Sequence, residues 1–362
     1  MTYHYAHNFG AMLQSYSLCK VINDLGFQCE IIDYRLPYID QYVRKERITE
    51  VIEQNGIVIG ILKYVKRLLT GQYFRDKQWK SFETFYDKYL HKSLPTIVEK
   101  NKLVEMDYDI YVSGSDQIWN LDLNGYAWEY FLDFVPDHKK KIAYAASNGK
   151  AVFSKENSYR IKTLLSKYNF IGIRESKLTS FITNQYNIAA QTVLDPTLLI
   201  DKSEWKRIVN RTLVKYNNYV FIYLVEENEK LLQNAIQYSK KQGKNVVVLA
   251  YNKINNKDII QIKSCNPFEF VSLICNSEMV ITNSYHGLCF SLIMEKSFYV
   301  FSHSSLNERI HSLLSLLGLL ERQINEEDEI NNNCINYEEV NELIKIYKKK
   351  SIDFLREALS NE

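Results

Sequence analysis

The sequence predicts an α/β protein built as two doubly wound domains, each a parallel sheet flanked by helices. Three observations point there. The 362 residues exceed one ordinary core at ~100–200 residues per domain. Short apolar runs alternate with helical stretches through both halves, the pattern of a parallel sheet. Only 12 glycines and 5 prolines occur, against a usual ~12% of residues, which disfavours a turn-rich β-sandwich or a solenoid.

The first helix is expected over Ala11–Leu25, where Ala11, Met12, Leu18, Cys19, Ile22 and Leu25 recur at helical spacing and Gly26 stands at a left-handed C-cap position. Only Thr2–Tyr5 remain for a strand before it, so the chain opens in the middle of a βαβ unit. CEIIDY (Cys29–Tyr34) reads as the next buried strand. Residues at about 40–100 interrupt the alternation with a helical, basic and aromatic insertion. There Ile61, Leu62, Val65, Leu68 and Leu69 share one helical face, with Lys63, Lys66 and Arg67 off it. Such a helix packs on its own domain or lies on an anionic membrane.

From Tyr108 the alternation resumes through YDIYVSGSD, KKIAYAASNG and NFIGIRESK, and VLDPTLL (Val193–Leu199) closes this half because Pro196 resists a central strand. The second half repeats the grammar: strands over Asn218–Val225, 245–251, 278–282 and Ser297–Ser302, with helices over Glu226–Gln242, Pro267–Cys275, Ser284–Met294 and Asn307–Leu317. These readings divide the chain into domains at 1–200 and 201–330, followed by a polar link and C-terminal helix at 331–362.

Composition excludes several classes. With 45 Lys and Arg against 43 Asp and Glu, the net charge of +2 gives no field that draws nucleic acid. The six cysteines form no C-x-x-C pair and read as reduced core thiols of a cytoplasmic protein. No basic-then-apolar leader and no run of 18 apolar residues occurs, so the expectation is neither export nor a membrane span. No metal is expected, because H-E-x-x-H, H-x-H and C-x-x-C are missing. G-x-G-x-x-G, the P-loop and G-x-S-x-G are missing as well.

In open parallel sheets, ligands bind beyond the carboxyl ends of strands, where helix N-termini offer N–H groups to anions. Five such places stand out. Asn8 and Gly10 open the first helix, as a cap or as a phosphate approach. Ser113–Gly114–Ser115 can form an anion-binding concavity, and Asp116 can cap a helix or hold a ligand hydroxyl. Ser147–Asn148–Gly149 follows the next strand. Arg174 ends another, suited to bidentate binding of carboxylate or phosphate or to a salt bridge. His286 sits in the first turn of a helix capped by Asn283 or Ser284. The helix dipole there disfavours imidazolium, and a ring neutral near pH 7 can take or give a proton; a purely structural role is equally open.

Taken together, AHNFGAMLQSYSL, YVSGSDQIWN, AYAASNG, IGIRESK, VLDPTLL and ITNSYHGLCFSLIMEKSF, spanning residues 6–298, resemble the ordered motif set of the polysaccharide pyruvyl transferase family. The resemblance implies two Rossmann-like domains in a glycosyltransferase-B-like arrangement. It also implies transfer of the enolpyruvyl carbons of phosphoenolpyruvate, as donor substrate with no further cofactor, onto a sugar as a cyclic ketal. The implied acceptor is a lipid-linked oligosaccharide or polysaccharide, which suits a cytoplasmic enzyme with peripheral contact at the inner membrane face. His286 matches the family histidine and takes the acid/base role, Arg174 matches the donor-binding arginine, and Arg309 resembles a further donor-anion arginine. Asn8, Gly10, Ser115, Asp116, Asn148, Asn283 and Ser284 complete the expected substrate-binding set. The chain departs from members that carry Arg-Leu-His where it has Ser284-Tyr285-His286. Alternatives from other classes are a nucleotide-sugar glycosyltransferase and a non-catalytic sugar-binding protein that closes on its ligand.

Overall fold

A computed structural model describes residues 1–36, 56–59, 72–209, 216–226, 228–250, 254–302, 307–325 and 327–360. Two parallel sheets organise them. The first contains β1 (Ile110–Ser113), β2 (Lys140–Ala146), β3 (Phe170–Ile173) and β4 (Gln191–Thr192), side by side in chain order. The second contains β5 (Tyr219–Leu224), β6 (Asn245–Ala250), β7 (Ile260–Gln261), β8 (Met279–Thr282), β9 (Ser297–Phe301) and β10 (Gln323–Ile324). Its spatial order is β7-β6-β5-β8-β9-β10. This is the doubly wound order, and the winding reverses between β5 and β8, where a crevice opens at the strands' carboxyl ends. The sequence explains the layering. All six residues of β5 and all four of β8 are buried, as required of strands covered by helices on both faces.

The principal helices are α1 (Phe9–Asp24), α2 (Gln72–Tyr89), α3 (Ser158–Leu165), α4 (Ser176–Phe181) and α5 (Lys202–Val209) in the first half. The second half adds α6 (Glu229–Lys241), α7 (Pro267–Cys275), α8 (Tyr285–Ile293), α9 (Glu308–Leu316) and α10 (Tyr337–Ser360). The basic amphipathic stretch around Lys63, Lys66 and Arg67, read as packing on its own domain or lying on a membrane, falls outside the described residues. No helix among the described residues is long and apolar enough to cross a membrane.

Helix α1 is buried on most of its circumference, the mark of a helix packed from several sides. Its Phe9 stacks on Phe270 at 4.8 Å and meets Tyr223 at 5.8 Å, so a first-lobe helix enters the second lobe's core. Burying one such ring contributes ~1.5–3 kcal/mol. Further ties join the lobes. Gln78 of α2 exchanges two hydrogen bonds with the backbone of Cys265, and Ser176 N–H donates to the Ser312 hydroxyl at 3.0 Å. Helix α10 begins on the second lobe, where the Tyr337 hydroxyl donates to the Ser291 carbonyl. It ends on the first lobe, where the Ser351 hydroxyl accepts from Leu194 N–H. Phe354 there lies over Gly172, whose missing side chain leaves room for the ring. Two Rossmann-like lobes with a terminal helix crossing back give the glycosyltransferase-B-like arrangement.

Two expected strands are not formed. Thr2–Tyr5 is not a strand. Instead Met1 alone sits in register on β1, its N–H donating to Val112 O and its carbonyl accepting from Gly114 N–H. Cys29–Tyr34 makes only two isolated bridges, Ile31 with Lys92 and Tyr34 with Ile97. The ladder breaks between them because the Ser93 hydroxyl takes Asp33 N–H and Pro95, between the paired residues, has no N–H to give. The Asp33 carboxylate is turned inward to His4, Thr96 and Arg35.

Candidate active site

The carboxyl ends of β1, β3 and β4 meet those of β8 and its neighbours across the inter-lobe crevice, and the charged residues just past them converge. Asp116 follows β1 in a left-handed conformation (φ 78°), a backbone state that costs about 1–3 kcal/mol in a non-glycine residue. Its carbonyl accepts from Ser147 N–H and its carboxylate from Gln117 N–H, so it caps no helix. The carboxylate lies 3.5 Å from the Arg174 guanidinium and 3.7 Å from that of Arg309. Arg174, at the end of β3, is buried and donates from Nη1 to Asp195 Oδ2 at 2.9 Å. The Ser115 hydroxyl donates to the same oxygen at 3.1 Å.

Helix α8 supplies the second lobe's share. Ser284 is its N-cap, accepting from Gly287 N–H at 3.2 Å. Tyr285 presents its ring to two cations, with the Arg174 guanidinium carbon 4.5 Å from the ring centroid and that of Arg309 5.5 Å. A π face beneath two like charges offsets part of their repulsion. His286 is buried, its Nε2 3.4 Å from Asp195 Oδ2. The ring lies directly over Gly10, where an added Cβ would come within 2.7 Å of Cε1 and closer still to Nδ1 and Cγ. Gly10 is therefore the notch into which His286 fits.

Several buried donors here make no hydrogen bond: Arg174 Nε and Nη2, the latter 3.5 Å from Asp116 Oδ1, and Arg309 Nε. Each buried polar atom left unpaired costs ~1–3 kcal/mol, and such atoms concentrate where a ligand is received. Burial alone would push the Asp195 carboxyl up, but the attraction of His286, that of Arg174 and the Thr197 N–H hold it well below the usual carboxylate range. Burial pushes the Glu175 carboxyl up despite Arg174, the Ser147 hydroxyl and Arg309, which favours its neutral form. Burial, then the charge of Arg174, pulls the Arg309 guanidinium down. Two adjacent guanidinium groups and an imidazole are thus gathered at one buried point.

Of the residues singled out from sequence, Gly10, Ser115, Asp116, Arg174, His286 and Arg309 come together. Asn8, Ser284, Asn148 and Asn283 serve the backbone. Asn8 caps α1 through Ala11 N–H, and Asn148 bridges Lys150 N–H and the Val152 carbonyl. Asn283 accepts from Val225 N–H and donates to the Glu226 carbonyl, closing the loop after β5. The proposed concavity at Ser113–Ser115 is already used, since Gly114 N–H donates to Met1 O and the Ser113 hydroxyl to Tyr130 O. Sequence reasoning missed Asp195 and the shelf role of Tyr285. The available signal for Asp195 was an acid at the end of an apolar run, fixed by Pro196. Among the described residues, no group of three or more His, Cys, Asp or Glu is placed to hold a metal ion.

Fold and site define a two-lobed α/β protein of glycosyltransferase-B-like arrangement with a histidine-bearing centre between its lobes, where two guanidinium groups face two carboxylates. A sequence model described as polysaccharide pyruvyl transferase matches residues 8–305. The chain belongs to the polysaccharide pyruvyl transferase family and is thus a transferase whose acceptor is a polysaccharide or sugar. No curated protein matches it. Among solved structures it is similar to UDP-GlcNAc 2-epimerase of Neisseria meningitidis bound to UDP-GlcNAc (10% identity, 93% of this chain and 91% of that one, TM-score 0.45). The enzyme of Rickettsia bellii is comparable (10%, 95% and 94%, 0.45). So is that of Methanocaldococcus jannaschii in complex with UDP-GlcNAc and UDP (13%, 74% and 80%, 0.43). At these values the likeness carries no chemistry over.

Proposed function

We propose that this transferase moves the enolpyruvyl group of phosphoenolpyruvate onto two hydroxyls of a sugar in a lipid-linked or polysaccharide acceptor, forming a pyruvate ketal. The observation that carries this reading is the pair of guanidinium groups, Arg174 and Arg309, stacked on Tyr285 with unpartnered N–H donors beside His286. A small donor with both a carboxylate and a phosphate fits two adjacent planar cations. The reaction needs no redox step. The C2–O bond to phosphate breaks, two C2–O bonds to the sugar form, and the methylene carbon gains one proton. Of the two hydroxyl protons released, one balances that carbon and the other leaves with phosphate. In this reading His286 delivers the proton to the methylene carbon and recovers one from an acceptor hydroxyl. Arg174 and Arg309 hold the anion as positive charge develops at C2, and Ser115 and Asp116 border the donor.

The test is incubation with phosphoenolpyruvate and a broad panel of hexose-bearing lipid-linked acceptors. The expected result is stoichiometric phosphate release with an acid-labile pyruvate ketal on the acceptor. No turnover across the panel, together with no thermal stabilisation by phosphoenolpyruvate, would refute the reading. A cytoplasmic place at the membrane face belongs to the same proposal, and the basic residues Lys63, Lys66 and Arg67 are the candidates for contact. Failure to sediment with anionic liposomes would remove that part.

A further inference from the structure

The carboxylate of Asp195 is held from every side. It caps the turn Pro196–Leu199, with Oδ1 accepting from Thr197 N–H at 3.0 Å and from the Thr197 hydroxyl at 2.8 Å. Its Oδ2 accepts from Arg174 Nη1 at 2.9 Å and from the Ser115 hydroxyl at 3.1 Å, and lies 3.4 Å from His286 Nε2. The residue has no solvent exposure. Four donors from three segments of the first lobe therefore fix this group before the second lobe's imidazole meets it. The opposite edge of the ring is fixed too, since Nδ1 lies against the bare backbone of Gly10. A ring with an anion at one nitrogen and a glycine notch at the other has one orientation.

We propose that Asp195 is a positioning residue of the reaction. It receives the Nε2–H of His286, holds the ring in one tautomer, and fixes its plane over Gly10. The inference rests on His286 being the acid/base group of pyruvyl transfer, and adds how that histidine is oriented. A fixed carboxylate behind an imidazole sets the tautomer and orientation of the ring. The other titratable or charged groups around the pair are Arg174 from β3, Asp116 from the loop after β1, Tyr144 from β2, Tyr285 and Cys289 from α8, and Arg309 from α9. Asp195 alone among them pairs its carboxylate with the imidazole while bonded to the Thr197 turn.

The experiment compares wild type, Asp195→Asn and Arg174→Ala in steady-state kinetics as a function of pH. In Asp195→Asn, kcat should fall on the order of 10²-fold or more, with the phosphoenolpyruvate KM unchanged or lower because Arg174 loses a competing partner. The loss should fall on kcat alone, a split that a merely structural loss would not give. Arg174→Ala should raise KM as well as lower kcat, since it removes both a donor-binding cation and one of the four donors to Asp195. Folded Asp195→Asn with wild-type kcat overturns the proposal. Should Asp195→Asn fail to fold, Thr197→Val keeps the backbone cap and removes only the hydroxyl donor. It should then lower kcat several-fold at constant KM, and no change in kcat counts against the proposal. If wild type itself shows no pyruvyl transfer, the functional reading fails. The coupling of Asp195 to His286 is still decided by the His286 ring-nitrogen shifts in NMR spectra of wild type and Thr197→Val, or Asp195→Asn where it folds: an Nε2–H tautomer fixed in wild type and mixed in the variant supports it, and the same tautomer state in both overturns it.

Discussion

Replacing Gly10 by Ala puts a methyl group in place of a hydrogen on a helix, a change that elsewhere stabilises by ~1 kcal/mol through helix propensity. Here the new Cβ would lie within 2.7 Å of His286 Cε1 and closer to Nδ1 and Cγ, inside the 3.0 Å that real Cβ contacts respect. The ring must retreat by on the order of 1 Å, a displacement that can cost ~10²-fold in rate when the moved group is catalytic. A straight retreat toward Asp195 is closed. It would shorten the 3.4 Å separation from Oδ2 to roughly 2.4 Å, below any N–H···O distance. The ring has to swing aside, losing Asp195 and its line to the donor together. Overpacking of ~1–3 kcal/mol against the propensity gain leaves a folded protein. The assay is phosphate release from phosphoenolpyruvate with saturating acceptor, alongside thermal melting. The expected outcome is a loss in kcat of about two orders of magnitude with melting within a few degrees of wild type. A Gly10→Ala enzyme within threefold of wild type would refute the notch as the seat of His286.

Other perturbations separate binding from scaffolding. Arg174→Ala should raise the phosphoenolpyruvate KM ~10- to 100-fold, since hydrogen bonds from a charged group are worth ~1.5–3 kcal/mol; an unchanged KM removes Arg174 from the donor site. Asn283→Ala should destabilise by ~1–3 kcal/mol in urea titration, because Val225 N–H and the Glu226 carbonyl both lose their partner, and a loss under 0.5 kcal/mol would show the loop after β5 to be held otherwise. His7 is packed between Trp79 and Phe82, and burial, then the charge of Arg35, lowers it to about 3. The unfolded ring binds its proton near ~6.5, so between these values the unfolded state carries more protons and stability falls as pH drops below ~6.5. Melting should decline from pH 7.5 to 5 in wild type and less steeply in His7→Phe; parallel slopes would contradict this.

The longer parallel strands were legible because they are covered on both faces and therefore read as unbroken apolar runs: Val220 to Leu224 in β5 and Val246 to Leu249 in β6 are buried residue after residue. The two-residue strands β4, β7 and β10 have no such run and left no mark. Cys29–Tyr34 has a strand's composition, yet its pairing is decided by the Ser93 hydroxyl 60 positions away, which no local pattern records. The same distance effect divides the polar residues past the strand ends. Asn148 and Asn283 occupy the positions where ligand groups stand, but their amides close their own loops. Asp195 looks like a turn cap and is one, through Thr197 N–H. Its other oxygen meets Arg174, Ser115 and His286 only because β1, β3 and the second lobe arrive at one point.

Gly10 shows why such a site cannot be read from its charged residues alone. Its contribution is the volume it lacks, and that volume matters only because α1, started by Asn8 in the first lobe, carries Phe9 into the second lobe's core beside Phe270 and Tyr223. The aromatic contacts fix where the helix begins, and the next residue then lies under the imidazole. Arg174 and His286 belong to different lobes, yet both are set against one carboxylate, so a relative shift of the lobes by an ångström would loosen His286 from Asp195 while leaving Arg174 bonded. The same shift would part Arg174 from Arg309 and Tyr285, so substitutions at Phe9 or Phe270 act on both kcat and KM.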